Sequence, residues 1–171
     1  MELTWIILGN GCSGRMLLNL ELPPQVRVLS QNRVYPYGTN DAVVLSHPAY
    51  LGALPRDIDP ETVYIPRAWP EDLPYNRVDS RAQSTHMALA LLAGWQQTRV
   101  CAVGWDGVCM GEPTASMPYP AERGIKGPNQ GYLQGSDRWR QASIEAQALY
   151  GMVVLQIVSP RELANWVRSL L

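Results

Sequence analysis

The chain has no Phe and a single Lys, Lys126, among its 14 basic residues, so its aromatic surface comes from 6 Trp and 8 Tyr. Both biases read as genome composition before function. Cysteine is scarce: Cys12, Cys101 and Cys109 are an odd number without metal-ligand spacing, which argues against a disulfide framework or structural zinc and for a reduced, cytoplasmic setting. Cys101 lies in an apolar run and reads as a buried small hydrophobe. Charge is also sparse, at 17% of residues with a net −1. A global grip on nucleic acid or anionic lipid is therefore unsupported, though a local basic patch stays open. No apolar run approaches the ~18 residues that span a bilayer. The opening MELTWIILGNG lacks a basic n-region and a small-residue cleavage site, and reads as a first strand rather than a signal peptide. The Lys and Ser/Thr of a P-loop, GxSxG, HExxH and paired CxxC are all missing.

What is present suffices for a core. Apolar residues make up 46% of 171 positions, a length that fits one domain over residues 1–171. Strand candidates are Thr4–Leu8, Val26–Leu29, Ala42–Leu45, Thr62–Ile65, Arg99–Val103 and Met152–Val158. The first, fifth and sixth are near-continuous apolar runs, the pattern of strands covered on both faces. Helical spacing marks Ser84–Trp95, Ser136–Tyr150 closed by Gly151, and Ser159–Leu171, where Ser159, Pro160 and Glu162 form an N-cap, a first-turn proline and a capping acid. Strands alternating with helices predict an α/β fold: a single Rossmann-like domain with an open, mostly parallel sheet of about six strands. Two long loops are expected, Pro66–Arg81 and the Gly/Pro-rich stretch 104–135. A connection as long as the second serves as a lid or an acceptor-binding loop.

The sharpest local signal is Gly9-Asn10-Gly11-Cys12-Ser13-Gly14, placed after an apolar strand and before a short helical segment, Arg15–Leu20. Glycines there let the backbone approach a ligand, and free N–H groups at a helix start favour an anion. In open α/β sheets the carboxyl ends of the strands form the ligand crevice. The turn spells GxGxxG, yet the second strand runs out into Ser30-Gln31-Asn32-Arg33 with no acidic residue to hold a ribose diol. Arg33 keeps an NADP-dependent oxidoreductase open through a 2′-phosphate, and a non-catalytic nucleotide-binding or sequestering module remains a further alternative.

Gly9-Asn10-Gly11-Cys12-Ser13 resembles the strand-ending GNGxS turn of sialyltransferase-like glycosyltransferases and related phage and bacterial proteins, whose turn often carries proline where Cys12 stands. Asn32 matches the asparagine that follows their second strand. Ser84 opens a helix leading to a strand that ends Val103-Gly104-Trp105-Asp106, similar to the family's serine-capped helix, strand and Gly-x-Asp end. Trp139 through Ser159 resembles its helix-then-strand ending. The resemblance implies a Rossmann-like transferase whose nucleotide-activated sugar donor is held by Gly9, Asn10, Gly11, Cys12, Ser13, Asn32 and Ser84, without a metal. Asp106 would face the same crevice, and the acceptor would be a small molecule or glycan hydroxyl. The oligomeric state stays open.

Two histidines complete the candidate chemistry. His86 lies near the start of the helix that begins at Ser84, where a neutral imidazole can act as general base for an acceptor hydroxyl, with Asp106 the other candidate. His47 follows the third strand. Asp57-Ile58-Asp59 spells DxD, but its flanking prolines suit a turn better than a metal site. Arg123, Lys126, Arg138 and Arg140 bias the long loop and the next helix toward positive charge, and Trp105, Tyr119, Tyr132 and Trp139 offer rings for stacking or for core packing.

Overall fold

The computed structural model describes residues 2–9, 12–35, 39–80, 83–105 and 135–171. Seven strands form one sheet: β1 (Thr4–Leu8), β2 (Val26–Gln31), β3 (Ala42–Val44), β4 (Val63–Pro66), β5 (Asn76–Val78), β6 (Arg99–Val103) and β7 (Val153–Ile157). Every pairing is parallel, in the order β5-β4-β3-β2-β1-β6-β7. Among the described residues, three helices, α1 (Ser84–Gly94), α2 (Gly135–Tyr150) and α3 (Pro160–Ser169), join 3-10 segments at Cys12–Asn19, Pro48–Ala53 and Pro60–Thr62. The architecture is α/β and Rossmann-like.

Chain direction explains which layer covers which face. Right-handed crossovers that step one way across a parallel sheet cover one face, and those that step back cover the other. The chain steps outward from β1 to β5, and its links put Leu17, Tyr35, Tyr50, Leu54, Ile58 and Trp69 over Ile6, Leu8, Val28, Val43 and Ile65. It then returns past β1 to β6 and β7, so α1 and α2 cover the opposite face, packing Met87, Leu92, Ala142 and Ala146 on Trp5, Ile7, Leu29 and Ala102. Helix α3 closes the first face through Leu163. Double coverage is why β1 and β6 read as unbroken apolar runs: Ile6, Ile7 and Leu8, and Cys101, Ala102 and Val103, have no exposed surface.

The local signals act as their chemistry dictates. The Ser159 side chain accepts from the Glu162 N–H at 3.2 Å, and Glu162 Oε2 accepts from the Val158 N–H at 3.1 Å. Gly151 takes φ +62 after α2, with its N–H donating to the Gln147 carbonyl.

Three details differ from expectation. A seventh strand, β5, lies inside the stretch 66–81 expected to be loop; at three residues (Asn-Arg-Val) it is too short and too polar to show periodicity. The segment after β1 is a 3-10 helix. Helix α1 is capped at Gln83, with no side-chain cap bond, so Ser84 is its first helical residue rather than its cap. Of the long stretch 104–135, residues 106–134 lie outside the described residues. No described helix is long and apolar enough to cross a membrane.

Candidate functional site

The strand order reverses between β1 and β6, where the chain leaves β1 for one side of the sheet and comes back to fill the other. Crevices outside the carboxyl ends of parallel strands at such a switch are where ligands of open α/β proteins bind. The Gly9 turn and the segment after Val103 both start there.

The root of this crevice is closed by backbone. The Gly9 N–H donates to the Val103 carbonyl at 2.9 Å. A Cβ on Gly9 would lie 2.6 Å from the Gly104 carbonyl oxygen and 2.8 Å from Trp105 Cδ1. Gly104 takes φ +79, and a Cβ there would strike the Gly9 carbonyl. Both positions therefore need glycine, one for space and the other for space and conformation. Ser13, 7% exposed, stitches the two loops, its Oγ accepting from the Gly104 N–H at 2.9 Å. Gly9 and Ser13 thus frame the turn. Cys12 opens the 3-10 helix, and Asn10 and Gly11 lie outside the described residues.

Trp105 locks the neighbouring elements. Its ring is fully buried and its Nε1–H donates to Gln31 Oε1 at 2.6 Å. The Gln31 Nε2 donates in turn to Ser84 Oγ at 3.1 Å and Thr85 Oγ1 at 3.0 Å. Gln156 Nε2 donates to the Trp105 carbonyl at 2.8 Å. This chain of bonds ties the ends of β2 and β6, the start of α1, and β7 into one polar layer. It brings Ser84 close to the switch, bonded to protein. Sequence reasoning missed Gln31 and Gln156; the one signal was Gln156, a polar residue near the end of the otherwise apolar β7, whereas Gln31 follows Arg27 and Ser30 in a mixed strand.

Asn32 sits one residue past β2 with φ +67, a left-handed conformation asparagine tolerates better than most residues. Its Oδ1 accepts from both the Ser46 N–H and the Ser46 Oγ, each at 2.9 Å, fastening β2 to β3. Arg33 is only 6% exposed, so its guanidinium is set into the protein rather than offered at the crevice mouth.

His86 serves a different contact. Its Nε2 lies 2.7 Å from Glu145 Oε2 on α2, and its Nδ1 is buried without a hydrogen-bond partner. The cleft it lines, of about 180 Å³, is walled by Asp79, Ser80, Leu89, Glu145, Leu149 and Tyr150, with none of the turn's described residues among its walls. Among the described residues His86 pairs with Glu145 of α2, and Asp106 lies outside the described residues. His47 caps the 3-10 segment Pro48–Ala53, with Nδ1 accepting from the Ala49 N–H at 3.1 Å. Asp59 caps the segment Pro60–Thr62 by accepting from the Glu61 N–H at 3.0 Å, a turn-shaping role. No group of three His, Cys, Asp or Glu side chains is placed to hold a metal among the described residues.

Fold and switch point define the class: a doubly wound, all-parallel α/β protein with its candidate crevice at the β1–β6 boundary. Compared with family models, curated proteins and solved structures, the chain gives no match in any of the three.

Proposed function

We propose that the protein binds a nucleotide-type, phosphorylated ligand over the Gly9–Ser13 turn and transfers a group from it, a sugar in the leading reading, to a hydroxyl acceptor. One observation carries this reading. Two segments far apart in sequence, the turn after β1 and the chain after β6, meet at Gly9 and Gly104 where the strand order reverses. Since the Gly9 N–H and the Ser13 Oγ already serve the protein, the amides that meet phosphate in this proposal are those of Asn10 and Gly11 and of the 3-10 helix start.

In the transfer step the acceptor hydroxyl loses its proton to a carboxylate as its oxygen bonds the anomeric carbon. The bond from that carbon to the donor phosphate breaks, and the nucleotide leaves as an anion met by backbone N–H groups. Asp106 is the carboxylate the sequence offers for this role. His86 is not assigned to it, because Glu145 holds its Nε2 and its Nδ1 is buried. The buried Arg33 weighs against the NADP alternative, which needs that guanidinium free to meet a phosphate. The engagement of Gly9, Ser13, Ser84 and His86 within the protein favours, as a second reading, a module that binds the nucleotide without turning it over.

The test is a thermal-shift screen of CMP, UDP, GDP, NADP and ATP, repeated on Gly11→Val, followed by a donor-hydrolysis and transfer assay. A shift for one nucleotide that disappears in Gly11→Val supports the binding site. An unchanged shift moves the site elsewhere, and binding without turnover selects the second reading.

A further inference from the structure

The two edges of the sheet are protected unequally. At one end β5 is three residues long, carries Arg77 and lies near Pro66, Pro70 and Pro74, the devices by which open edges avoid pairing. At the other end β7 is five residues, Val-Val-Leu-Gln-Ile, with no charge and no proline. Its neighbour β6 satisfies one side of its backbone, and no described strand pairs with the other.

A mainly apolar groove flanks this edge on one face, and a mixed cleft that also holds Glu2 and Arg99 flanks it on the other. On one side Ile144, 57% exposed, and Ala148 of α2 form a groove of about 520 Å³ with Val153 and Val154. On the other, Val153 and Leu155, each 48% exposed, line a second cleft of about 500 Å³ with Leu3, Trp166 and Leu170. Of the α2 residues lining this groove, Ser143, Ile144, Gln147 and Ala148 are uncharged like the strand itself, and Arg140 is the one charged side chain.

We propose that β7 is the seam of a homodimer, pairing antiparallel with β7 of a second copy about a twofold axis near Leu155. Such an axis runs perpendicular to the sheet, so each face stays on its own side. The two α2 helices meet over one groove and the two α3 helices over the other, and the sheet continues through 14 strands. An isologous contact places each residue type opposite a copy of its own surface, which penalises charge and favours a neutral, apolar strip. The strand, with Ile144 and Ala148 beside it, is of that kind, and the charges in the flanking clefts are Arg140 on one face and the opposite pair Glu2 and Arg99 on the other. Five paired residues run about 17 Å. Across a helix, the sheet and a second helix the contact spans about 30 Å. That is roughly 500 Å² in projection and more in accessible area, close to the ~800 Å² per partner of a standard interface.

The test is light scattering on the purified full chain over a micromolar concentration series, for wild type, Leu155→Glu and Ile144→Arg, with circular dichroism to confirm folding. A wild-type dimer of about 38 kDa, twice the 19.0 kDa chain, is expected. Either substitution should shift the folded protein to monomer, by at least tenfold in dissociation constant. Leu155→Cys should give a disulfide between residues 155 of two copies under mild oxidation, mapped by peptide mass spectrometry, because residues on the axis sit about 5 Å apart. A monomeric wild type at 100 µM overturns the proposal. So does a dimer that survives both substitutions, or one in which residue 155 fails to cross-link to its copy.

Discussion

Gly9 and Gly104 meet backbone to backbone at the ends of the two central strands, so closely that neither tolerates a methyl group without movement of the other. Here the first turn of the chain is braced by a residue 95 positions later. The turn that looks like a ligand loop is also a structural clasp, completed by the Ser13–Gly104 bond and roofed by Trp105.

Substituting Gly104 by Ala should therefore cost about 2–4 kcal/mol, combining the left-handed penalty with overpacking against Gly9. In a chain of this size the loss reads as a Tm lower by roughly 5–15 °C. Gly94, with open space around its Cα, is the control: Gly94→Ala should hold or slightly raise Tm. Equal Tm values for the two variants would remove the clasp.

The Gln31–Trp105 bond is fully buried, so breaking it from one side strands a polar group. Gln31→Leu should cost about 1–3 kcal/mol by leaving the indole N–H unpaired. Trp105→Phe removes that donor together with some packing. In urea titrations the double variant should be less destabilised than the sum of the singles, with a coupling of about 1 kcal/mol or more. Strict additivity would mean the bond contributes nothing in solution.

His86 and Glu145 join α1 to α2 with both side chains under a third exposed. His86→Gln and Glu145→Gln should each lower stability by about 1–2 kcal/mol. Neither should alter any nucleotide-induced thermal shift. A His86 variant with intact stability and lost turnover would return this imidazole to catalysis.

Burial pushes the Cys101 thiol well above its usual range, so the folded protein keeps its proton where an unfolded chain releases it. Above about pH 8.5 the unfolded state binds fewer protons than the native state, and stability falls as pH rises, by at most about 1.4 kcal/mol per pH unit from this group. Cys101→Ala should start less stable at pH 7 and decline more gently between pH 8.5 and 10 in urea denaturation. Burial raises the Tyr64 hydroxyl in the same direction, adding to the loss near the top of that range in both proteins. Parallel pH profiles for wild type and Cys101→Ala would contradict the assignment.

The fold was legible because its signals are local. Double burial leaves an unbroken apolar run in β1 and β6, and Ser159 and Gly151 announce helix ends through their own chemistry. β5 was not legible, since three residues with a polar centre gain their strand conformation from pairing with β4. The site divides in the same way. Gly9 stands out as a glycine after a strand, whereas the need for glycine at that point comes from Gly104, a contact no window of sequence contains.

By itself the sequence determined the alternation of strands and helices, hence a parallel sheet with covered faces, because periodicity and capping act between residues a few positions apart. Only the tertiary structure decided that Gln31 and Trp105 form one hydrogen-bonded layer, that Asn32 turns to Ser46, and that His86 answers to Glu145. Those partners lie between 14 and 74 positions apart, and a polar side chain's role is set by whichever group the folded chain delivers to it.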